Sequence, residues 1–286
     1  MTRARTICAA SLSLSLWAMG CGGAETPTTA RPNTIEAPHF LLAVGASRSP
    51  ALARPPGDPD EFRSAVRAAQ GPARREAMRH AAIGLMYAAE DREPQEGRAG
   101  REERRAQRRL RQDSNRYADS ALRGSRDEFQ NALMEFVKAY NAWRAGARNA
   151  ARLAERFTTR RTDARELYSL MWALRGEIAF GGQHYRDAAE AYRYFLGQLD
   201  HPLYAYGLWR TAHCYREMDR GADAAQALTE ARNLGCDPEA GRAVVEVAAV
   251  AGRELGGTAV RWPDGTIRPS SCPVPGQEPG DGEATP

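Results

Sequence analysis

Between residues 129 and 157 apolar side chains recur at alternating spacings of four and three: Phe129, Leu133, Phe136, Tyr140, Trp143, Ala147, Ala150, Ala154 and Phe157. That spacing lays one apolar stripe along a helix, so the pattern predicts a long helix over 125–157. Ser125 followed by Glu128 supplies a capping box at its start, and Gly146 marks a place where it can kink. Two readings of the stripe stay open: the buried face of a packing helix, or the seam of an intermolecular coiled coil. Upstream, Gly71-Pro72 separates two further amphipathic stretches, 61–70 and 72–90, expected as a pair of helices. Downstream, 238–255 offers Val244, Val245, Val247 and Val250 for burial and is expected as a closing helix, with Asp237 as its N-cap and Pro238 as its first residue.

Two segments also align with each other at a spacing of 36 residues. Trp172, Gly176, Ala188, Tyr192 and Phe195 in the first stand at the offsets of Leu208, Ala212, Ala224, Leu228 and Ala231 in the second, and Pro202 and Pro238 repeat at the same interval. A bulky residue, then a small one, then a later alanine at set positions resembles the tetratricopeptide repeat, a helix-turn-helix unit. Arg175 and Ala179 depart from that pattern, where the family prefers leucine and an aromatic; Tyr215 restores the aromatic in the second copy. Small residues let the helices of a hairpin approach, Gly176 against Ala188 and Ala212 against Ala224. The resemblance covers 168–234, and two repeats bury too little surface alone, so capping helices are expected on both sides.

The resemblance implies a concave groove lined by the first helix of each hairpin. Its ligand-facing positions fall on Leu170, Ala173, Glu177 and Phe180 in the first copy and on Tyr206, Trp209, His213 and Arg216 in the second. Tyr206, Trp209 and Arg216 are residue types that often dominate binding energy. The competing reading buries Tyr206 and Trp209 beneath the preceding helix.

Composition agrees with an all-α fold of short-solenoid type. Alanine supplies much of the apolar content, β-branched residues are few, and of 17 prolines only Pro202 and Pro238 lie between residues 94 and 263. The N- and C-terminal segments, rich in proline and glycine, are expected to be disordered. A net charge of +4 makes no case for nucleic acid. Residues 97–111 nevertheless hold seven arginines and two glutamates. This run reads as a solvated helix or connection, or alternatively as a contact for anionic lipid headgroups or an acidic partner.

Residues 1–20 have the parts of an export leader: Arg3 and Arg5, an apolar stretch over 7–19 too short to span a bilayer permanently, and small residues at the end. Ala18-Met19-Gly20-Cys21 resembles the lipobox of bacterial lipoproteins. That resemblance implies cleavage before Cys21, acylation of Cys21 with palmitate-like chains, and, with Gly22 rather than aspartate next, the outer membrane facing the periplasm. An ordinary secretory leader is the alternative. The expected organisation is a leader at 1–20, a tether over 21–59 unable to build a core, a helical region with the arginine run over 60–124, the repeat domain over 125–257 and a tail over 258–286.

Of five cysteines, Cys8 would leave with the leader and Cys21 would be acylated. Cys214 falls mid-helix, whereas Cys236 lies in a loop and Cys272 in a tail able to fold back, so Cys236 and Cys272 are the favoured disulfide pair, contributing about 3–4 kcal/mol by loop entropy. The histidines share no metal-ligand spacing with each other or with the cysteines, no catalytic motif is present, and no metal, cofactor or enzymatic activity is expected. The chain therefore reads as an anchored cell-envelope adaptor that docks another protein, an extended peptide or a helix, in its groove. The alternative is a self-associating envelope spacer using the 125–157 helix for pairing and the arginine run for membrane contact.

Overall fold

Local signals place the helix starts. Asp58 accepts from the backbone N–H groups of Asp60 and Glu61 while Glu61 accepts from the N–H of Asp58, a complete capping box ahead of Pro59. It opens α2, Pro59–Ala68, and Gly71 with φ of 54° turns the chain into α3, Gly71–Glu90. The computed structural model describes residues 35–92, 97–158, 164–194, 201–262 and 265–273. The leader, the lipobox cysteine Cys21, Phe195 and the tail beyond residue 273 lie outside the described residues.

The arginine run lies on α4, Gly97–Leu122, a single helix packed on α3. The apolar stripe that follows forms two helices rather than one: α5, Glu128–Arg144, and α6, Ala150–Thr158. Gly146 has φ of 63°, and the N–H of Ala147 reaches back to the carbonyl of Ala142. That left-handed closure satisfies the last carbonyls of α5 and stops the helix outright, where a kink was expected. The cap is also displaced. Asp127 accepts from Gln130 N–H, and Ser125 accepts from Asp127 N–H, so Ser125 belongs to the turn before the cap. Leu133, Phe136, Tyr140, Ala150, Ala154 and Phe157 are buried within the chain, Trp143 and Ala147 are half-buried, and Phe129, 38% exposed, is left at the start of the stripe. The apolar seam a coiled coil would need is thus already occupied.

The repeat region folds as α7, Arg165–Gly181, α8, Tyr185–Arg193, α9, Leu203–Glu217, and α10, Gly221–Leu234. Both hairpins close through the same turn. Gln183 and Asp219 take φ of 63° and 57°, and the N–H of His184 bonds to Ala179 O as the N–H of Arg220 does to Tyr215 O. Non-glycine residues in this conformation are uncommon, so their recurrence at the repeat interval is specific. The small residue Gly176 meets Tyr192 rather than Ala188: a Cβ there would stand 2.4 Å from the ring.

Closing the series, α11 spans Arg242–Glu254. It begins later than expected because Asp237 accepts from Glu239 N–H in a separate turn, and Gly241 precedes the helix. The segment after it is not all tail. β1, Ala259–Arg261, pairs antiparallel with β2, Ile267–Pro269, and this hairpin packs on α11. A disulfide joins Cys272, just past the hairpin, to Cys236 in the turn after α10, and buried Arg268 donates to the carbonyls of Gly235 and Asp237.

In cross-section, α3, α5, α7, α9 and α11 touch in sequence as one layer, and the helices between them pack outside. The tether reading fails for its second half. Residues Ala37–Arg48 form α1, which buries Phe40, Leu41, Leu42 and Val44, followed by a 3-10 turn, Pro50–Leu52, that buries Leu52. Pro38 sits in the first turn, where its missing N–H costs nothing. No boundary falls between 124 and 125: from Thr34 the chain forms one unit, with Met78 and Tyr117 packed against both the main core and a smaller one beneath α2.

Candidate functional site

The positions expected to line a groove lie on α7 and α9 of the inner layer, and α1 packs over part of them. α1 packs on α7; the ring of Phe40 stacks on Tyr206 at 4.7 Å with an interplanar angle of 18°. Gly45 allows the close approach, since a Cβ there would come within 3.0 Å of Leu170 Cδ1 and 2.6 Å of Leu52 Cδ2. At the far end the Tyr87 hydroxyl of α3 donates to Leu52 O at 3.0 Å. Leu170, Ala173, Glu177, Tyr206 and Trp209 are buried, which is the competing outcome for Tyr206 and Trp209; α1 covers Leu170 and Tyr206, while Trp209 is engaged by Glu254 of α11.

Beneath α1 lies a charged centre. Glu177 accepts from Tyr192 OH at 2.6 Å, Tyr206 OH at 2.7 Å and Arg210 Nε at 2.7 Å on one oxygen, and from the other Arg210 nitrogen at 2.7 Å on the second. This two-pronged pairing fixes Arg210 over the Phe180 ring, 4.1 Å from its centroid. Burial, reinforced by the Glu177 charge, pushes both tyrosine hydroxyls well above their usual range, so they act as donors. Burial works against the Arg210 charge, but Glu177 outweighs it and holds the guanidinium protonated. A carboxylate with four donors needs no further ligand. Arg210 was missed by sequence reasoning because it stands one position beyond Trp209, off the groove face; its signal was the i, i+4 pairing with Tyr206 that brings both to Glu177.

The second-copy residues divide. Trp209 Nε1 donates to Glu254 Oε1 at 2.7 Å, His213 Nε2 lies 3.1 Å from the same oxygen, and Arg216 donates to Oε2 at 2.6 Å. One turn apart along α9, the three converge on the end of α11. Although burial opposes it, hydrogen bonds from His213 and Trp209 lower the Glu254 carboxyl to about 2. Arg216 is partly exposed at this junction and Phe180 half-buried at the groove edge.

A second buried ion centre joins α3, α4 and α5. Glu90 accepts from Arg111 at 2.9 Å and from Arg144 Nε at 2.9 Å, beside Asn141, which donates to Ser114 Oγ at 2.8 Å. Arg111, counted with the solvated arginine run in the sequence, is therefore an internal residue. Cys214 is buried as a free thiol, and burial pushes it up to about 12, far from thiolate reactivity. Among the described residues no group of three or more His, Cys, Asp or Glu could hold a metal ion, and no helix is long and apolar enough to cross a membrane.

No protein-family model, curated protein or solved structure matches this chain.

Proposed function

We propose that the chain is a membrane-tethered interaction adaptor of the cell envelope: a tetratricopeptide-like solenoid, anchored through Cys21, whose groove is held by its own helix α1 until a partner helix takes that place. The observation that carries this reading is the seat of Phe40 on Tyr206, directly over the Glu177 centre, where a groove ligand would lie. The recurrent turns at Gln183 and Asp219 support the repeat architecture. α1 defines what fits: a short helix with an aromatic followed by aliphatic residues and a glycine where it crosses Leu170. Because the charged centre beneath is internally satisfied, recognition rests on apolar shape rather than on a charged anchor.

The test places a photoreactive phenylalanine analogue at position 206, in the groove, and illuminates cells expressing the full chain. Peptide mapping should find two adducts, one to residues 37–48 of the same chain and one to a single second protein. The second adduct should grow when Phe40→Ala weakens the resident helix. Adducts to residues 37–48 alone, in both forms, would refute partner exchange and leave α1 as a fixed part of the core.

A further inference from the structure

The outer face of α4 gathers a run of arginines that the fold leaves exposed. At about 100° per residue, Arg101, Arg104, Arg105, Arg108 and Arg109 fall within an arc of about 140°. Leu110, Arg111, Ser114, Ala118 and Ala121 are buried on the other side of the helix. All five arginines are exposed, and among the described residues none of them pairs with a carboxylate. Their neighbours behave differently: Arg92 pairs with Glu103, Arg111 with Glu90, Arg116 with Asp113, and Arg63 with Asp113 and Asp60. Of the acidic side chains on α4, Glu103 and Asp113 are so engaged, Asp119 is held by Lys138, and Glu102 stands at the margin of the arc. Among the described residues other exposed arginines stand unpaired elsewhere, among them Arg152, Arg186 and Arg242, but on this face of α4 five of them gather within three turns of one helix.

We propose that this face of α4 docks on an anionic phospholipid bilayer. Five arginines lie along about 12 Å of one helix, and each basic residue near an anionic leaflet contributes about 1 kcal/mol of attraction. Between Arg101 and Arg109 no aromatic side chain is interleaved that would stack bases. The face also lacks a closed headgroup site. The cavity of about 470 Å³ beside Arg105 and Arg109 is lined as well by Asp58, Asp60 and Glu102, which oppose a phosphate. Binding is therefore a response to surface charge density rather than to headgroup identity. It would lay the domain along the membrane, independently of what occupies the groove.

The test uses the full chain carrying Cys21→Ser, so that no acyl anchor contributes, and measures co-sedimentation with vesicles of phosphatidylcholine alone or mixed equally with phosphatidylglycerol. The leader is common to every variant and cancels in the comparison. Arg104→Gln, Arg105→Gln, Arg108→Gln and Arg109→Gln together should weaken binding to the anionic vesicles by at least about a hundredfold, each arginine counting for about fivefold. Raising salt to the physiological range should erode the parent's binding, and cardiolipin at equal charge density should serve as well as phosphatidylglycerol. The charge-matched variant Arg152→Gln, Arg186→Gln, Arg193→Gln and Arg242→Gln should bind nearly as the parent does. Equal losses in the two variants, or no preference for anionic vesicles, would overturn the proposal. Matching thermal transitions for all three proteins exclude misfolding as the cause.

Discussion

Replacing Phe40 by alanine separates a docked α1 from a loose one. The Phe40 side chain is 7% exposed, stacked on Tyr206 and packed in the main core. Truncating a buried phenylalanine costs about 3–5 kcal/mol, with a ring stack contributing about 0.5–1.5 kcal/mol of that. Phe40 lies on a peripheral helix whose surroundings can relax, which favours the lower end, about 3 kcal/mol. Native-state hydrogen exchange reads this directly, because a helix that opens as its own unit exchanges according to its own opening free energy. The amides of residues 41–48 should lose protection by about a hundredfold, since every 1.4 kcal/mol is tenfold. Those of α3 and α4, joined through Glu90, Arg111 and Ser114, should change little. A loss below about fivefold at α1 would refute its docking over Tyr206. An equal loss in α3 and α4 would instead mean that α1 opens only with the whole domain.

Gly176→Ala should destabilise by about 1–3 kcal/mol despite alanine's better helix propensity, because the new Cβ meets the Tyr192 ring that Glu177 fixes; Gly181→Ala in the same helix, with open space around it, should gain up to about 1 kcal/mol, and denaturant midpoints compare the two. Gln183→Gly should stabilise by about half a kcal/mol by relieving its left-handed backbone, and Asp219→Gly by less, since aspartate tolerates that conformation better; equal losses in both would refute the strain. Glu254 has a folded pKa lowered from 4.5 to about 2, so the stability it contributes is full above 4.5 and lost as pH falls from there toward 2; Glu254→Gln should flatten the acid limb of thermal stability in that window, and an unchanged limb would show that Trp209, His213 and Arg216 do not hold the carboxylate charged.

Much of the repeat was legible because periodicity survives averaging. The interval between Pro202 and Pro238 is also that between Gln183 and Asp219, whose identical turns no composition measure could register. The division at Gly71-Pro72 and the pairing of Cys236 with Cys272 followed from local chemistry and from which cysteines were free to meet. α1 was missed for the opposite reason. Prolines at 38, 50, 55, 56 and 59 make the region look like a tether, although Pro38 is a helix opener and the run from Phe40 to Val44 is apolar enough to dock. The positions expected to face a groove fall on α7 and α9, but one-dimensional spacing cannot reveal that a distant segment packs on Tyr206 and Leu170 or that Glu254 gathers three of the others at the far end.

The two covers of the repeat layer are held by different chemistry, and this fixes where it could open. On the C-terminal side α11 is clasped by a charged cluster at Glu254, and the hairpin packed on it is tied to the end of α10 by the Cys236–Cys272 bond and the Arg268 donors. Displacing α11 would break the hydrogen bonds that the Glu254 carboxylate takes from Trp209 and His213, each contributing about 1.5–3 kcal/mol as a bond to a charged group. On the other side α1 is held over α7 and α9 mainly by apolar contact, and the polar groups beneath it are already satisfied by Glu177 and Arg210. Removing α1 therefore strands no charge; it exposes an apolar surface that another helix of like shape can cover. Trp209, His213 and Arg216 are then poor candidates for partner contact, since they belong to the locked side, and the specificity of any partner falls to Tyr206 and Leu170, which meet α1.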